Sequence, residues 1–249
     1  MADSISEARA LLAEARSPVV FTGAGVSADS GVPTFRGVAG ASDDTFWGKY
    51  DPMQLATPRG FRDDPKLVYD WYNWRRSQLA KVHPNPAHHA IAKLQKDRNA
   101  VVITQNVDGL HERAAPPGAV IHRVHGTISA DRCMDPHCDH TEEIDYSNLP
   151  PLRDCPKCRR ERMRPAVVWF GESLDQALWQ ICLRACRSAD VLLVVGTSGE
   201  VYPAAGLVDL AAGAGAKIIL ANLEPSPLDD VADLTFHARA ADIIPQIVP

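Results

Sequence analysis

Apolar residues in this chain fall into short unbroken runs separated by amphipathic stretches. Val19-Val20-Phe21-Thr22, Val101-Val102-Ile103-Thr104, Val120 to Val124, Val191 to Val195 and Lys217 to Asn222 are such runs, and turn-forming residues bound most of them. Short β-branched runs of this kind predict strands buried on both faces. Between them, residues 4–16, 65–81, 87–97 and 174–187 carry the spacing of helices. Pro18 stops the first helix, and Pro84-Asn85-Pro86 separates the second from the third. Val167 to Phe170 also reads as strand, 217–222 is the last clear strand, and 37–64 is loop-rich. Strands alternating with helices predict an α/β fold with a parallel sheet covered on both faces. Ligands of such sheets bind beyond the carboxyl ends of the strands. The polar groups at 23–25, 105–108, 125, 196–198 and 222–224 all fall at those ends.

Composition narrows the picture. The chain has 249 residues, 45% of them apolar, and a net charge of −5. That balance argues against a general nucleic-acid or acidic-membrane binder. No apolar run reaches the roughly 18 residues a membrane span needs, and the first twenty residues lack a basic start and an apolar core, so a cytoplasmic location is expected. Six cysteines without an export signal point to a reducing compartment, where metal ligation outranks disulfides. Cys133, Cys138, Cys155 and Cys158 form two close pairs and read as a tetrahedral, structural zinc site. The first pair is more widely spaced than in most knuckles, and His137 or His140 beside it could replace a thiolate. Cys182 and Cys186, four apart in a helical stretch, read as small buried hydrophobes.

The turn Gly23-Ala24-Gly25-Val26-Ser27-Ala28 follows a strand and fits a dinucleotide-binding glycine pattern. A dehydrogenase would continue into a long helix. Here Gly31 and Pro33 follow within a few residues, so the helix must be short and yield to a loop.

Taken in order, Gly23 to Arg36, Thr104 to His111, His125-Gly126, the cysteine pairs, Gly196-Thr197-Ser198 and Asn222-Leu223-Glu224 resemble the sirtuins, NAD-dependent protein-lysine deacylases. The resemblance implies a Rossmann-like NAD domain (1–37, 85–130 and 165–249). It also implies a smaller lobe made of a helical insertion (38–84) and a zinc module (131–164). It implies that NAD is consumed, with an acyl-lysine giving free lysine, nicotinamide and O-acyl-ADP-ribose. His125 matches the general base, a role its pKa range suits.

By the same resemblance, the cofactor is held by Gly23, Ala24, Gly25, Ser27, Asp29, Thr34, Phe35 and Arg36 of the first loop. Gln105, Asn106, Val107 and Asp108 bind the cofactor, with Asn106 and Asp108 holding the nicotinamide ribose and amide. Gly196, Thr197, Ser198, Asn222, Leu223, Glu224 and Ala240 also bind the cofactor, with Thr197 and Ser198 offering hydroxyls toward phosphate and Asn222 and Glu224 fitting the adenosine ribose. Val168, Phe170, Gly171, Glu172 and Tyr202 belong to segments that sandwich the substrate peptide as an added strand. Trp71-Tyr72-Asn73-Trp74-Arg75-Arg76 resembles the Tyr-x-x-Arg signature of the branch that removes succinyl and malonyl groups. Tyr72 and Arg75 are three apart, hence on one helix face, and a guanidinium fork with a phenol suits a carboxylate. The expected activity is desuccinylation and demalonylation with deacetylation. The expected partners are acylated-lysine proteins or peptides, with no nucleic acid and no membrane. A mono-ADP-ribosyltransferase on the same scaffold is the alternative.

Overall fold

A computed structural model of the chain describes residues 2–33 and 52–249. Thr34, Phe35 and Arg36, expected beside the cofactor, lie outside these residues. The elements, in chain order, are α1 (Ala2–Glu14), β1 (Pro18–Thr22), α2 (Gly25–Ala28), α3 (Pro52–Leu55), α4 (Pro58–Asp63), α5 (Pro65–Leu79), α6 (Pro86–Arg98), β2 (Val101–Thr104), α7 (Leu110–Ala114), β3 (Ile121–Arg123), β4 (Gly126–Cys133), β5 (Thr141–Glu143), β6 (Met163–Val167), α8 (Gln176–Ser188), β7 (Val191–Val195), α9 (Gly206–Gly213), β8 (Lys217–Asn222), β9 (Leu234–His237) and α10 (Ala240–Ile247).

Six strands form a parallel sheet in the order β3-β2-β1-β7-β8-β9. Every residue of β1 and β7 is buried, because side chains alternate between two covered faces. Val20, Val102, Leu193, Val195 and Ile219 meet Leu12 of α1, Ile91 and Leu94 of α6, and Ile243, Ile244 and Ile247 of α10. Val19, Phe21, Ile103, Leu192, Val194 and Ile218 meet Cys182 and Cys186 of α8 and Leu207, Val208 and Ala211 of α9. Both cysteines are thus core residues, as their spacing predicts, and none of the six is in a disulfide. Among the described residues no helix is long and apolar enough to cross a membrane.

A second sheet is antiparallel, in the order β5-β4-β6. It packs with α4 and α5 around a separate core of Phe61, Val68, Tyr69, Trp71, Tyr72, Ile128, Val167 and Trp169. Helix starts here are written in the sequence. Thr57 and Asp64 accept the Gly60 and Leu67 N–H groups, and a proline follows each cap.

Ions also hold this core. The Arg76 and Asp131 side chains are fully buried and paired at 2.6 Å. Arg76 Nε donates to the Ile128 carbonyl at 2.8 Å and Nη1 to Asn73 Oδ1 at 2.9 Å. The other Asp131 oxygen accepts from Tyr69 Oη at 2.5 Å and Arg153 Nη1 at 3.1 Å. Burial and this carboxylate push the Tyr69 phenol up to about 12. Buried charges survive where hydrogen bonds satisfy them in this way.

The strand expected at 167–170 falls earlier, at Met163–Val167. Beyond it the backbone finds other partners. Val168 N donates to the His125 carbonyl, Trp169 N to Glu172 Oε2 and Phe170 N to the Ala56 carbonyl.

Candidate active site

The carboxyl ends of β1, β2, β7 and β8 bring the glycine turn, Gln105–Asp108, Thr197–Ser198 and Asn222 together. The β1 and β7 loops approach too closely for side chains. A Cβ on Gly25 would lie 2.7 Å from the Gly196 Cα, and one on Gly196 would lie 2.3 Å from Val26 N. Gly196 also has φ of 61°, which a side chain resists. Gly25 N donates to the Gly196 carbonyl at 2.8 Å, closing the contact.

Asn106 is fixed by its donors. Its amide nitrogen reaches the Gly23 carbonyl and Ser27 Oγ, both at 3.1 Å, which leaves Oδ1 as its acceptor. Ser27 Oγ donates to Asp108 Oδ2 at 2.8 Å, and Asp108 Oδ1 accepts the Leu110 N–H at 2.9 Å. Burial pushes the Asp108 carboxyl above its ordinary range, against the pull of these donors and of Arg75. Val107, between them, accepts Ile128 N of β4 at 3.0 Å, tying this loop to the small lobe.

Beneath these groups lies a layer that the sequence did not reveal. His88 Nε2 stands 3.4 Å from Ser27 Oγ, and His111 Nε2 stands 2.9 Å from Thr22 Oγ1. The two imidazoles are 4.9 Å apart. Burial pulls His88 down to about 4 and His111 to about 3, so both are neutral at neutral pH. His88 also sits in the first turn of α6, where Asn85 caps the helix. No local pattern marks these contacts, since Ser27 and His88 are 61 residues apart.

His125 lies between β3 and β4. Its Nδ1 is 3.1 Å from the Gln105 carbonyl, which places a proton on Nδ1 and leaves Nε2 as the basic nitrogen. Burial lowers its pKa, with the Gln105 carbonyl opposing, to a net value below the ordinary 6.5. Gln105 also donates from Nε2 to Thr197 Oγ1 at 2.9 Å. One residue thus joins the histidine to the β7 loop. Asn222 holds the same loop from β8, accepting Thr197 N at 3.0 Å and donating to the Thr197 carbonyl at 2.8 Å.

Ser198 is half-buried beside Thr197, and Ala240 is buried at the start of α10. Leu223 and Glu224 are exposed just past β8. The Asp29 carboxylate is held by Arg239 Nε at 2.8 Å and Ala241 N at 3.2 Å, which clasps the glycine turn to α10.

Tyr72 and Arg75 lie on one face of α5, as their spacing predicts. Tyr72 is fully buried, and its hydroxyl accepts Trp169 Nε1 at 3.0 Å. The Arg75 guanidinium lies 4.9 Å from the Trp71 ring centre and 5.4 Å from that of Tyr72. Burial lowers its pKa, while Tyr72, Asp108 and Tyr146 act to raise it. Val168 and Phe170 are partly buried, Gly171 is exposed, and Tyr202 is 69% exposed. Glu172 is already engaged: it takes Arg164 Nη1 at 2.5 Å and Trp169 N at 2.8 Å. Burial raises its pKa, but Arg164 outweighs that and holds it low.

The four cysteine sulfurs lie within 4.8 Å of one another. Cys133–Cys158 and Cys138–Cys155 are 3.5 and 3.8 Å apart. Sulfurs about 2.3 Å from a tetrahedral zinc stand about 3.8 Å from each other, so the cluster fits that ion. It contains no histidine; His140 Nε2 faces Glu142 at 3.6 Å instead.

Comparison with known proteins accounts for this arrangement. The Sir2 family model matches residues 23–203. The "NAD-dependent protein deacylase 2" of Pyrobaculum aerophilum is 45% identical over 240 residues, 96% of this chain and 92% of that protein. The "NAD-dependent protein deacylase 1" of Pseudomonas aeruginosa is 44% identical, over 96% of this chain and 95% of its own. A crystal structure of a Sir2 homologue–NAD complex superposes with a TM-score of 0.88 at 39% identity, covering 98% of this chain and 92% of that one. A Sir2 protein bound to an acetylated peptide gives 0.84 at 28% identity, covering 98% and 96%. With the glycine turn, the Gln105–Asp108 loop, His125 and the cysteine cluster all inside one matched span, the chain belongs to the Sir2 family.

Proposed function

We propose that this protein is an NAD-dependent protein-lysine deacylase that removes succinyl and malonyl as well as acetyl groups. Its relatives carry the deacylase name at up to 45% identity over nearly the whole chain. The residues at the sheet ends fit NAD chemically. Thr197 Oγ1 accepts from Gln105, so its own proton remains to be donated, and Ser198 adds a second hydroxyl beside it. Asn106 offers an acceptor and Asp108 a buried carboxylate where a ribose needs both. NAD, when bound, supplies a ribose carbon from which nicotinamide can leave.

The chain's own groups do the rest. Asn106 and Asp108 bind and orient the ribose hydroxyls. His125, neutral and protonated at Nδ1, takes a hydroxyl proton on Nε2. Val168, Phe170, Gly171 and Tyr202 border the peptide, and the four cysteines would hold a structural zinc.

The single observation that carries the acidic-acyl reading is the position of Arg75. It is a partly buried cation whose guanidinium lies 5.4 Å from the ring centre of the fully buried Tyr72 phenol. An acetyl group gives such a cation nothing to pair with, whereas a succinyl carboxylate accepts its fork. The test is NAD-dependent turnover of one lysine peptide, acetylated or succinylated, by wild type and Arg75→Met. Loss of succinyl removal with acetyl removal kept is expected. Wild type acting on acetyl alone would reduce the protein to a deacetylase. NAD cleavage without deacylation of either peptide would favour mono-ADP-ribosyl transfer.

A further inference from the structure

We infer that Trp169 is a specificity-positioning residue for acidic acyl groups, acting through the Tyr72 hydroxyl; this rests on the acyl reading above. The Trp169 indole N–H donates to Tyr72 Oη at 3.0 Å. A phenol has one proton to give and lone pairs to accept with. With a lone pair filled by the indole, the Tyr72 proton is directed away from Trp169 and is available to a carboxylate beside Arg75.

The indole itself is held on three sides. The Arg164 guanidinium stacks 3.2 Å from its ring centre, and Phe61 lies 5.2 Å away on a neighbouring helix. Glu172 clamps both ends of the arrangement, taking Arg164 Nη1 at 2.5 Å and the Trp169 backbone N–H at 2.8 Å. Arg164 Nη2 also donates to the Val167 carbonyl. Trp169 is 2% exposed, so its role is exerted from inside the wall and not by touching bulk solvent. The segment that borders the peptide and the helix that carries Arg75 are therefore joined by a directed hydrogen bond.

A neutral hydrogen bond of this kind is worth roughly 3- to 10-fold in an equilibrium. The experiment measures kcat/KM on succinyl-lysine and acetyl-lysine peptides for wild type, Trp169→Phe, Tyr72→Phe and the double variant. Trp169→Phe is expected to lower succinyl kcat/KM about 3- to 10-fold and to leave acetyl kcat/KM unchanged, which also reports that the variant is folded. In the Tyr72→Phe background the same change should have no further effect on succinyl, because the group it orients is gone. An equal loss on both peptides, or the same loss with and without the Tyr72 hydroxyl, would overturn the inference. So would unchanged succinyl removal by Trp169→Phe in a protein whose succinyl removal depends on Arg75; the acyl reading would then stand alone. If wild type fails to remove succinyl at all, the acyl reading falls and this inference falls with it.

Discussion

The large sheet and the small lobe are built from different materials. In the sheet, strands β1 and β7 are apolar from end to end, two helix layers cover them, and polar groups gather only at the carboxyl edge. In the small lobe, the core admits two arginines. Arg76 is buried against Asp131 and Arg164 against Glu172. Nearby, four thiols gather in the cysteine cluster. The difference teaches where each part gets its definition. Apolar burial is non-directional and makes a rigid platform. Paired charges and a thiol cluster suited to a metal are directional, and they add orientation to a small core of aromatic and aliphatic side chains.

The largest effect expected from this comparison is on zinc removal. Structural zinc contributes on the order of 10 kcal/mol in small domains. Chelation should abolish hydrogen-exchange protection across β4, β5 and β6, with β1, β7 and β8 still protected. Equal loss in both sheets would show that the two regions fold as one unit.

Next comes His125→Ala. The side chain belongs to neither core, so the melting temperature should hold. Turnover should drop by roughly 10²- to 10⁴-fold, the range for a general base. In wild type, the lowered pKa of His125 predicts that activity rises with pH to a plateau with its midpoint below 6.5, since only the neutral imidazole accepts a proton. A rate profile that keeps rising through pH 8 would remove the histidine from that role.

The smallest effect, step for step, is an acid sensitivity confined to the sheet edge. His88 and His111 have folded-state values of about 4 and about 3, below the ordinary 6.5. Between these limits the unfolded chain binds protons that the folded chain does not. Stability is therefore complete above pH 6.5 and is lost as pH falls, by about 1.4 kcal/mol per unit for each imidazole. Asp108, raised by burial, opposes this over the lower part of the range. Denaturant midpoints at pH 7 and pH 5 measure the slope, and His111→Phe should make it shallower by about one proton.

The same contrast governs what could be read in advance. Strands Val101–Thr104, Val191–Val195 and Lys217–Asn222 fall where the apolar runs end, because burial on both faces writes itself as a contiguous run. Strand β9 (Leu234–His237) went unread, since only one of its four residues is fully buried. Helix α10 hides behind Pro245, tolerated in its final turns. At the sheet edge, the glycine turn, Gln105–Asp108, His125, Thr197 and Asn222 were all legible as polar groups at strand ends. Their partners were not: Thr22 and His111 are 89 residues apart, and Tyr72 and Trp169 are 97 apart. Such pairs follow from the fold and leave no local signature.

Arg75 and Arg76 are neighbours in the chain with different surroundings. Arg76 is locked by Asp131, Asn73 and the Ile128 carbonyl, and it bolts the helix in place. Arg75 lies instead over the rings of Trp71 and Tyr72. On the reading proposed above, a lineage could exchange residue 75 to change its diet of acyl groups while residue 76 keeps the scaffold unchanged. The buried ion pair thus separates the question of whether the enzyme holds together from the question of what it eats, and so makes its chemistry evolvable one codon at a time.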